Sequence, residues 1–239
     1  MSCEPRALRE GTAYGASIST FQISAEKSMR QVDQAFGQVP IVRTFDPGMP
    51  LPWDAPRNQV VAGRDVVTSF RPMPQVVLSG SYDDEFRAWF EQAPPDETIY
   101  WSYIHEPESL LDEGAFTQAQ YFEAWEHLAD IARDACRPNM HATLILTEFT
   151  ASNSERDYRD YDPGPEIIDL IAWDPYNGVF DEERDFYQDP QTLLGGIVDI
   201  MAQDGRPWGI AEVGSRLVPG DDGRRPVAPR LVGHHGEFW

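Results

Sequence analysis

The sequence predicts an α/β domain of parallel βαβ units, best fitted by a (β/α)8 TIM barrel. Three observations carry this. Seven short apolar segments recur at intervals of roughly 25–40 residues, separated by helices or loops, as parallel βαβ units require. Polar and aromatic residues collect where those segments end: Asp46, Arg71, His105 and Glu106, Glu148, Asp174 and Tyr176, Glu212. A barrel keeps its working residues at those C-terminal strand ends. An open doubly wound sheet shares the alternation, but the first strand candidate, Tyr14-Gly-Ala-Ser-Ile-Ser19, has one glycine and no dinucleotide-binding spacing.

The elements follow in order. Tyr14–Ile18 reads as the first strand, and Ala25–Phe36 as a helix capped by Ser24. Pro40 introduces a second strand, Ile41–Phe45, ending at Asp46. The stretch Pro47–Gly63, rich in proline, glycine and tryptophan, is long enough for a binding loop. Asp65–Phe70 is the third strand, Asp83–Gln92 a short helix and Thr98–Ile104 the fourth strand. Phe122, Trp125, Leu128, Ala129 and Ala132 recur at helical spacing within Thr117–Arg137, which stops before Pro138. His141–Leu146 is the fifth strand, Glu148–Pro165 a polar stretch and Ile167–Trp173 the sixth strand. Pro190–Gln203 is a helix ended by Gly205, and Trp208–Val213 the seventh strand.

Residues 1–12 are expected to be a disordered lead-in and residues 13–215 the catalytic barrel. From Arg216 to Trp239 prolines, glycines and arginines break any helical period. The expectation there is an irregular tail, truncated or frame-shifted, with the last βα unit of the barrel missing or replaced.

Composition narrows the function. The 239 residues carry 19 basic and 40 acidic side chains, a formal charge of −21. Such a surface repels phosphate backbones and anionic lipid heads, so neither nucleic acid nor membrane is an expected partner. No run of 18 apolar residues is present. Residues Met1–Gly11 lack an apolar signal region. The two cysteines, Cys3 and Cys136, form neither a disulfide framework nor a zinc-finger spacing, and free thiols are expected. A metal-dependent hydrolase using His105, His141, Glu148 and Asp174 has no supporting ligand motif. No cofactor or metal is expected, and the chain is expected to be monomeric.

Glu106 and Glu212 are the candidates for chemistry. Each ends a strand-like run at a turn, Trp101-Ser-Tyr-Ile-His-Glu106 and Trp208-Gly-Ile-Ala-Glu212. On strands of one barrel they can face each other across its mouth. Two facing carboxylates, about 5–5.5 Å apart, are the apparatus of a retaining glycosidase: a proton donor and a nucleophile. The donor needs a raised pKa, which the apolar and aromatic surroundings of Glu106 can supply by desolvation. Small residues around Glu212 let a sugar ring approach closely.

At these residues the chain resembles glycoside hydrolase family 26, of the clan of retaining (β/α)8 hydrolases that includes β-mannanases. The resemblance rests on His105-Glu106 at the fourth strand, Trp173-Asp-Pro-Tyr176 at the sixth and Ala211-Glu-Val-Gly214 at the seventh, and spans about Tyr14–Ser215. It implies Glu106 as acid/base with His105 beside it, Glu212 as nucleophile, and Tyr176 as the tyrosine contacting the nucleophile. It also implies a polysaccharide or oligosaccharide substrate, such as β-1,4-linked mannan, and a secreted protein. Pro107-Glu108 after the His-Glu pair departs from typical mannanases.

Each site residue also has a structural reading. His105 and Glu106 alternate along a strand, so both reach a cleft only if the strand ends or bulges there. Otherwise His105 is a core histidine. Trp173 and Tyr176 are substrate contacts or core aromatics, and Trp53 a sugar platform on its long loop or a packed ring. Arg43 is an inward-facing substrate or carboxylate partner, or a plain ion-pair residue. Glu148 is a rival to Glu212. The alternative to catalysis is a non-catalytic carbohydrate-binding remnant of such an enzyme.

Overall fold

A computed structural model describes residues 6–8, 11–18, 23–178, 186–215 and 218. Seven strands form one parallel sheet: β1 (Gly15–Ser17), β2 (Ile41–Asp46), β3 (Asp65–Phe70), β4 (Ile99–Tyr103), β5 (Met140–Thr147), β6 (Leu170–Asp174) and, after the two-residue β7 (Tyr176–Asn177), β8 (Trp208–Ile210). Their spatial order is their chain order, β1-β2-β3-β4-β5-β6-β8, and every pairing is parallel. The fold is a (β/α)8-type barrel of which seven staves are described. The tail expected to be irregular, Arg216–Trp239, lies outside the described residues apart from Val218. The short β9 (Gly214–Ser215) pairs with β7 beyond the sheet.

Helices fill the crossovers: α1 (Ala25–Phe36), α2 (Pro56–Val61), α3 (Pro74–Val77), α4 (Asp83–Glu91), α5 (Glu108–Asp112), α6 (Gln118–Ala135), α7 (Glu148–Ser152) and α8 (Pro190–Asp204). Their starts follow local chemistry. The Ser24 hydroxyl accepts from the Lys27 N–H at α1, and Thr117 and Gln120 form a capping box at α6. Pro190 opens α8 behind Asp189, and Gly205 ends it in the left-handed conformation. The supposed loop Pro47–Gly63 holds the helix α2, which Pro56 starts. The sixth strand begins at Leu170 rather than Ile167, and the seventh ends at Ile210, leaving Glu212 two residues past it.

Alternation along the strands separates two faces. Phe70, Trp101 and Tyr103 point toward the helices. There Phe70 meets Phe86 at 5.9 Å between ring centroids, Trp101 meets Phe90 at 5.0 Å and Trp125 at 5.2 Å, and Tyr103 meets Trp125 at 5.8 Å. Edge-on and tilted pairs of this kind suit the ring quadrupoles, and each fully buried ring contributes about 1.5–3 kcal/mol by leaving water. The other face carries Arg43, Ser69, Tyr100, His141 and Asp174. Register ties them together: Tyr100 lies opposite His141, and Thr147 opposite Asp174. One parity thus builds the packed layer and the other lines the barrel interior.

Cys136 is disulfide-bonded, which corrects the free thiol expected from the sequence. Of the lead-in expected to be disordered, residues 6–8 and 11–12 are among those described. The Arg6 N–H donates to the Pro138 carbonyl at 2.5 Å, and its guanidinium to the Pro95 carbonyl at 3.0 Å. Arg6 is therefore docked beside the end of α6. Cys3, the only other cysteine in the sequence, lies outside the described residues. No helix among the described residues is long and apolar enough to cross a membrane.

Candidate active site

Strand β4 ends at Tyr103, and the next three residues turn sharply. Ile104 has φ of 45° and Glu106 of 50°, left-handed conformations that cost a non-glycine residue about 1–3 kcal/mol. Neighbouring strands hold the turn. The Ile104 N–H donates to the Phe70 carbonyl of β3 at 2.9 Å, and the Glu106 N–H to the Ile145 carbonyl of β5 at 2.9 Å. The turn breaks the strand alternation, so His105 and Glu106 both reach the mouth of the barrel.

His105 is no isolated core histidine. Its Nδ1 lies 2.9 Å from the Ser69 hydroxyl, and its ring meets Phe45 edge-on at 4.7 Å. Burial, then the guanidinium groups of Arg43 and Arg71, hold its pKa down at about 3. The imidazole is neutral across the physiological range.

Glu106 and Glu212 occupy opposite electrostatic settings. Burial is the largest influence on Glu106 and raises its pKa, followed by the negative charges of Glu108 and Glu212. Asp174 and Arg43 act the other way without cancelling them. Glu212 instead meets a cation and a phenol. Arg43 Nε lies 3.3 Å from Oε1, in the geometry of an ion pair, and the Tyr176 hydroxyl donates to Oε2 at 2.5 Å. Burial and the hydrogen bond to Glu212 push the Tyr176 pKa up, so the phenol keeps its proton. Gly214 allows this contact: a Cβ there would lie 3.0 and 3.1 Å from two carbons of the Tyr176 ring.

Asp174 completes the cluster from β6. It is buried, and neither carboxylate oxygen has a hydrogen-bond partner of good geometry. Burial drives its pKa well up, and the charge of Glu212 adds to this. No group of three or more His, Cys, Asp or Glu among the described residues is arranged to hold a metal ion.

Two of the aromatic expectations are corrected. Trp53 is buried, stacks on Trp89 at 5.1 Å and donates its indole N–H to the Trp89 carbonyl at 2.8 Å. It braces the loop against α4 rather than offering a platform to a sugar. Trp173 has no exposed surface and belongs to the apolar core. It must face away from the cleft because its neighbour Asp174 faces into it. Arg43 is the carboxylate partner of Glu212. Asp46, at the end of β2, is a structural latch: it takes a two-pronged contact from Arg57, at 2.6 and 2.9 Å, and the Leu51 N–H at 3.2 Å. Glu148 opens α7 and, among the described residues, has neither Arg43 nor Tyr176 as a partner.

The sequence reading gave Glu108 no role. This buried residue accepts three hydrogen bonds on Oε1, from the Thr147 N–H at 2.8 Å, the Thr147 hydroxyl at 2.9 Å and the Thr150 hydroxyl at 2.8 Å. Its only sequence signal was its place two residues after Glu106.

Comparison with known proteins bears on the fold. No family model matches the sequence, and no curated protein matches it. Solved structures do match. The catalytic domain of a family 26 endo-β-1,4-mannanase from Bacillus sp. JAMB-750 superposes with a TM-score of 0.59 at 16% identity, over 87% of this chain and 69% of that one. A modular endo-β-1,4-mannanase from Cellulomonas fimi gives 0.57 at 15% identity, over 86% and 57%. A family 26 β-mannanase from Bacteroides ovatus gives 0.55 at 15% identity, over 87% and 73%. The chain resembles family 26 glycoside hydrolases in fold, and it spans little more than half the length of the Cellulomonas enzyme.

Proposed function

We propose that the protein is a retaining glycoside hydrolase acting on a β-1,4-linked polysaccharide, with mannan as the first substrate to test. The observation that carries this is the unequal pair of glutamates. Burial and neighbouring carboxylates raise the pKa of Glu106, whereas Glu212 lies against the Arg43 guanidinium and the Tyr176 hydroxyl. In the first step Glu212 attacks the anomeric carbon while Glu106 protonates the departing glycosidic oxygen. In the second, Glu106 takes a proton from water, which attacks the same carbon and releases Glu212. Tyr176 and Arg43 hold the nucleophile in one orientation. The choice of mannan rests on the mannanases of similar fold, and the monomeric state remains part of the same proposal.

The test is hydrolysis of β-mannan and other β-1,4-glycans, with the anomeric configuration of the first product followed by NMR. Retention is expected. Inversion would reject Glu212 as nucleophile. Sugar binding without any product release would favour the non-catalytic carbohydrate-binding alternative.

A further inference from the structure

We infer that Glu108 is a positioning residue for Glu106: it ties down the turn that carries Glu106 and sets a second buried carboxylate beside it. The inference rests on the reading of Glu106 as acid/base, and it concerns a residue where this sequence departs from typical mannanases.

Two anchors hold the turn to the same neighbour. The Glu106 N–H is bonded to the Ile145 carbonyl of β5. Two residues later Glu108 reaches the end of that strand, where Oε1 takes the Thr147 N–H and hydroxyl and the Thr150 hydroxyl. Glu106 sits between these anchors at positive φ. A backbone in that conformation persists only where the surroundings over-determine it, and the three contacts to Glu108 supply part of that constraint. Pro107 between the two glutamates removes a rotatable φ and stiffens the link.

The carboxylate is used unevenly. Oε1 has three donors, whereas the buried Oε2 has none. A side chain serving only as a tether would be satisfied equally well by an amide. Burial raises the Glu108 pKa and its donors Thr147 and Thr150 oppose that rise; once ionised, its bare oxygen projects charge into its surroundings, and Glu108 is the largest charged influence on Glu106. Glu106 also faces Glu212, Asp174, Tyr176 and Arg43. Glu108 itself faces Tyr121 of α6 and, beyond it, Arg156 and Tyr161. Removing the Glu108 charge therefore leaves the other neighbours of Glu106 in place and isolates one contribution.

The test is the titration of the Glu106 carboxyl by NMR in protein carrying isotope-labelled glutamate, its signal assigned by loss in Glu106→Gln. Glu108→Gln keeps the shape and an acceptor for all three donors. It should move the Glu106 midpoint down by about one pH unit, the scale of one nearby charge. Thr150→Val, which removes one donor, should move it the same way by less. In the active protein, Glu108→Ala should slow cleavage of substrates with poor leaving groups more than of dinitrophenyl glycosides, whose leaving group needs no proton. An unmoved midpoint in both Glu108→Gln and Thr150→Val, or equal slowing for both leaving groups, would overturn the inference. A midpoint that moves in a protein with no hydrolytic turnover would support the positioning role while ending the hydrolase reading.

Discussion

The ends of β4 and β8 present the same side chain in contrasting ways. Glu106 emerges from a strained turn, half-buried, with carboxylates as its strongest charged neighbours. Glu212 lies two residues past a regular strand, between a guanidinium and a phenol. The contrast teaches that residue type does not assign a role in this site. Negative neighbours and burial suit one glutamate to the proposed role of proton donor, and a cation with a hydrogen-bond donor suits the other to the proposed role of nucleophile.

The strongest way to break the contrast is to delete each member and vary the leaving group. Glu212→Ala should abolish hydrolysis of both polysaccharide and dinitrophenyl glycoside. Glu106→Ala should slow polysaccharide cleavage by about 10²–10⁴-fold, the usual contribution of a general acid, yet spare the first step on the activated glycoside. Steady-state and burst kinetics would read the difference. Equal losses on both substrates in both variants would dissolve the distinction.

A smaller effect is expected from the partners of Glu212. Tyr176→Phe removes one donor from the carboxylate and should lower kcat by about 10²-fold, within the range seen when a single site donor is lost. KM should change less. A variant with unaltered kcat would make Tyr176 a packing residue.

The third expectation concerns stability against pH. Glu106, Glu108 and Asp174 have raised pKa values, so the folded protein holds protons that the unfolded chain releases. Their contribution is fully present below the ordinary carboxylate values and is lost as pH rises through the raised ones. His105 and His141 have the opposite sign. Burial depresses them to about 3 and 4, so their contribution is present above 6.5 and is lost as pH falls toward those values. Glu106→Gln should therefore raise the melting temperature at pH 8 more than at pH 5. Thermal unfolding of the two proteins at both pH values checks this, and an equal change would contradict it.

The smallest effect should fall on a residue outside the contrast. Trp53→Phe loses the hydrogen bond to Trp89, worth about 1 kcal/mol, and should lower the melting temperature while leaving KM for polysaccharide unchanged. A raised KM would return Trp53 to the substrate.

Much of this architecture was legible in the sequence. Strands β4 to β6 announced themselves by short, largely apolar runs, as staves buried on both faces do. Glu106 and Glu212 stood out as ionisable groups at the ends of such runs. Trp53 and Trp173 were left undecided between substrate and core for different reasons. The partner of Trp53, Trp89, lies 36 positions away, and no local pattern reveals that stacking. Trp173 could have been resolved by parity, since a strand that turns Asp174 inward turns its neighbour outward. Helix α2 was concealed by the turn-forming residues around it, although Pro56 was a usable start signal. Glu108 was invisible because its donors, Thr147 and Thr150, come from the next βα unit, and proximity across staves is not written in either segment alone.

Gly214 has a consequence for tracing the proposed activity through related sequences. The Tyr176 ring occupies the space that a side chain at 214 would take. An alanine there would displace the ring by a few tenths of an ångström and loosen its grip on Glu212. Such a protein would keep both glutamates, the tyrosine and the arginine, and would pass any inspection of its reactive residues. Its defect would lie in a hydrogen atom exchanged for a methyl group, so relatives lacking the proposed reaction can be sought at a position that carries no chemistry.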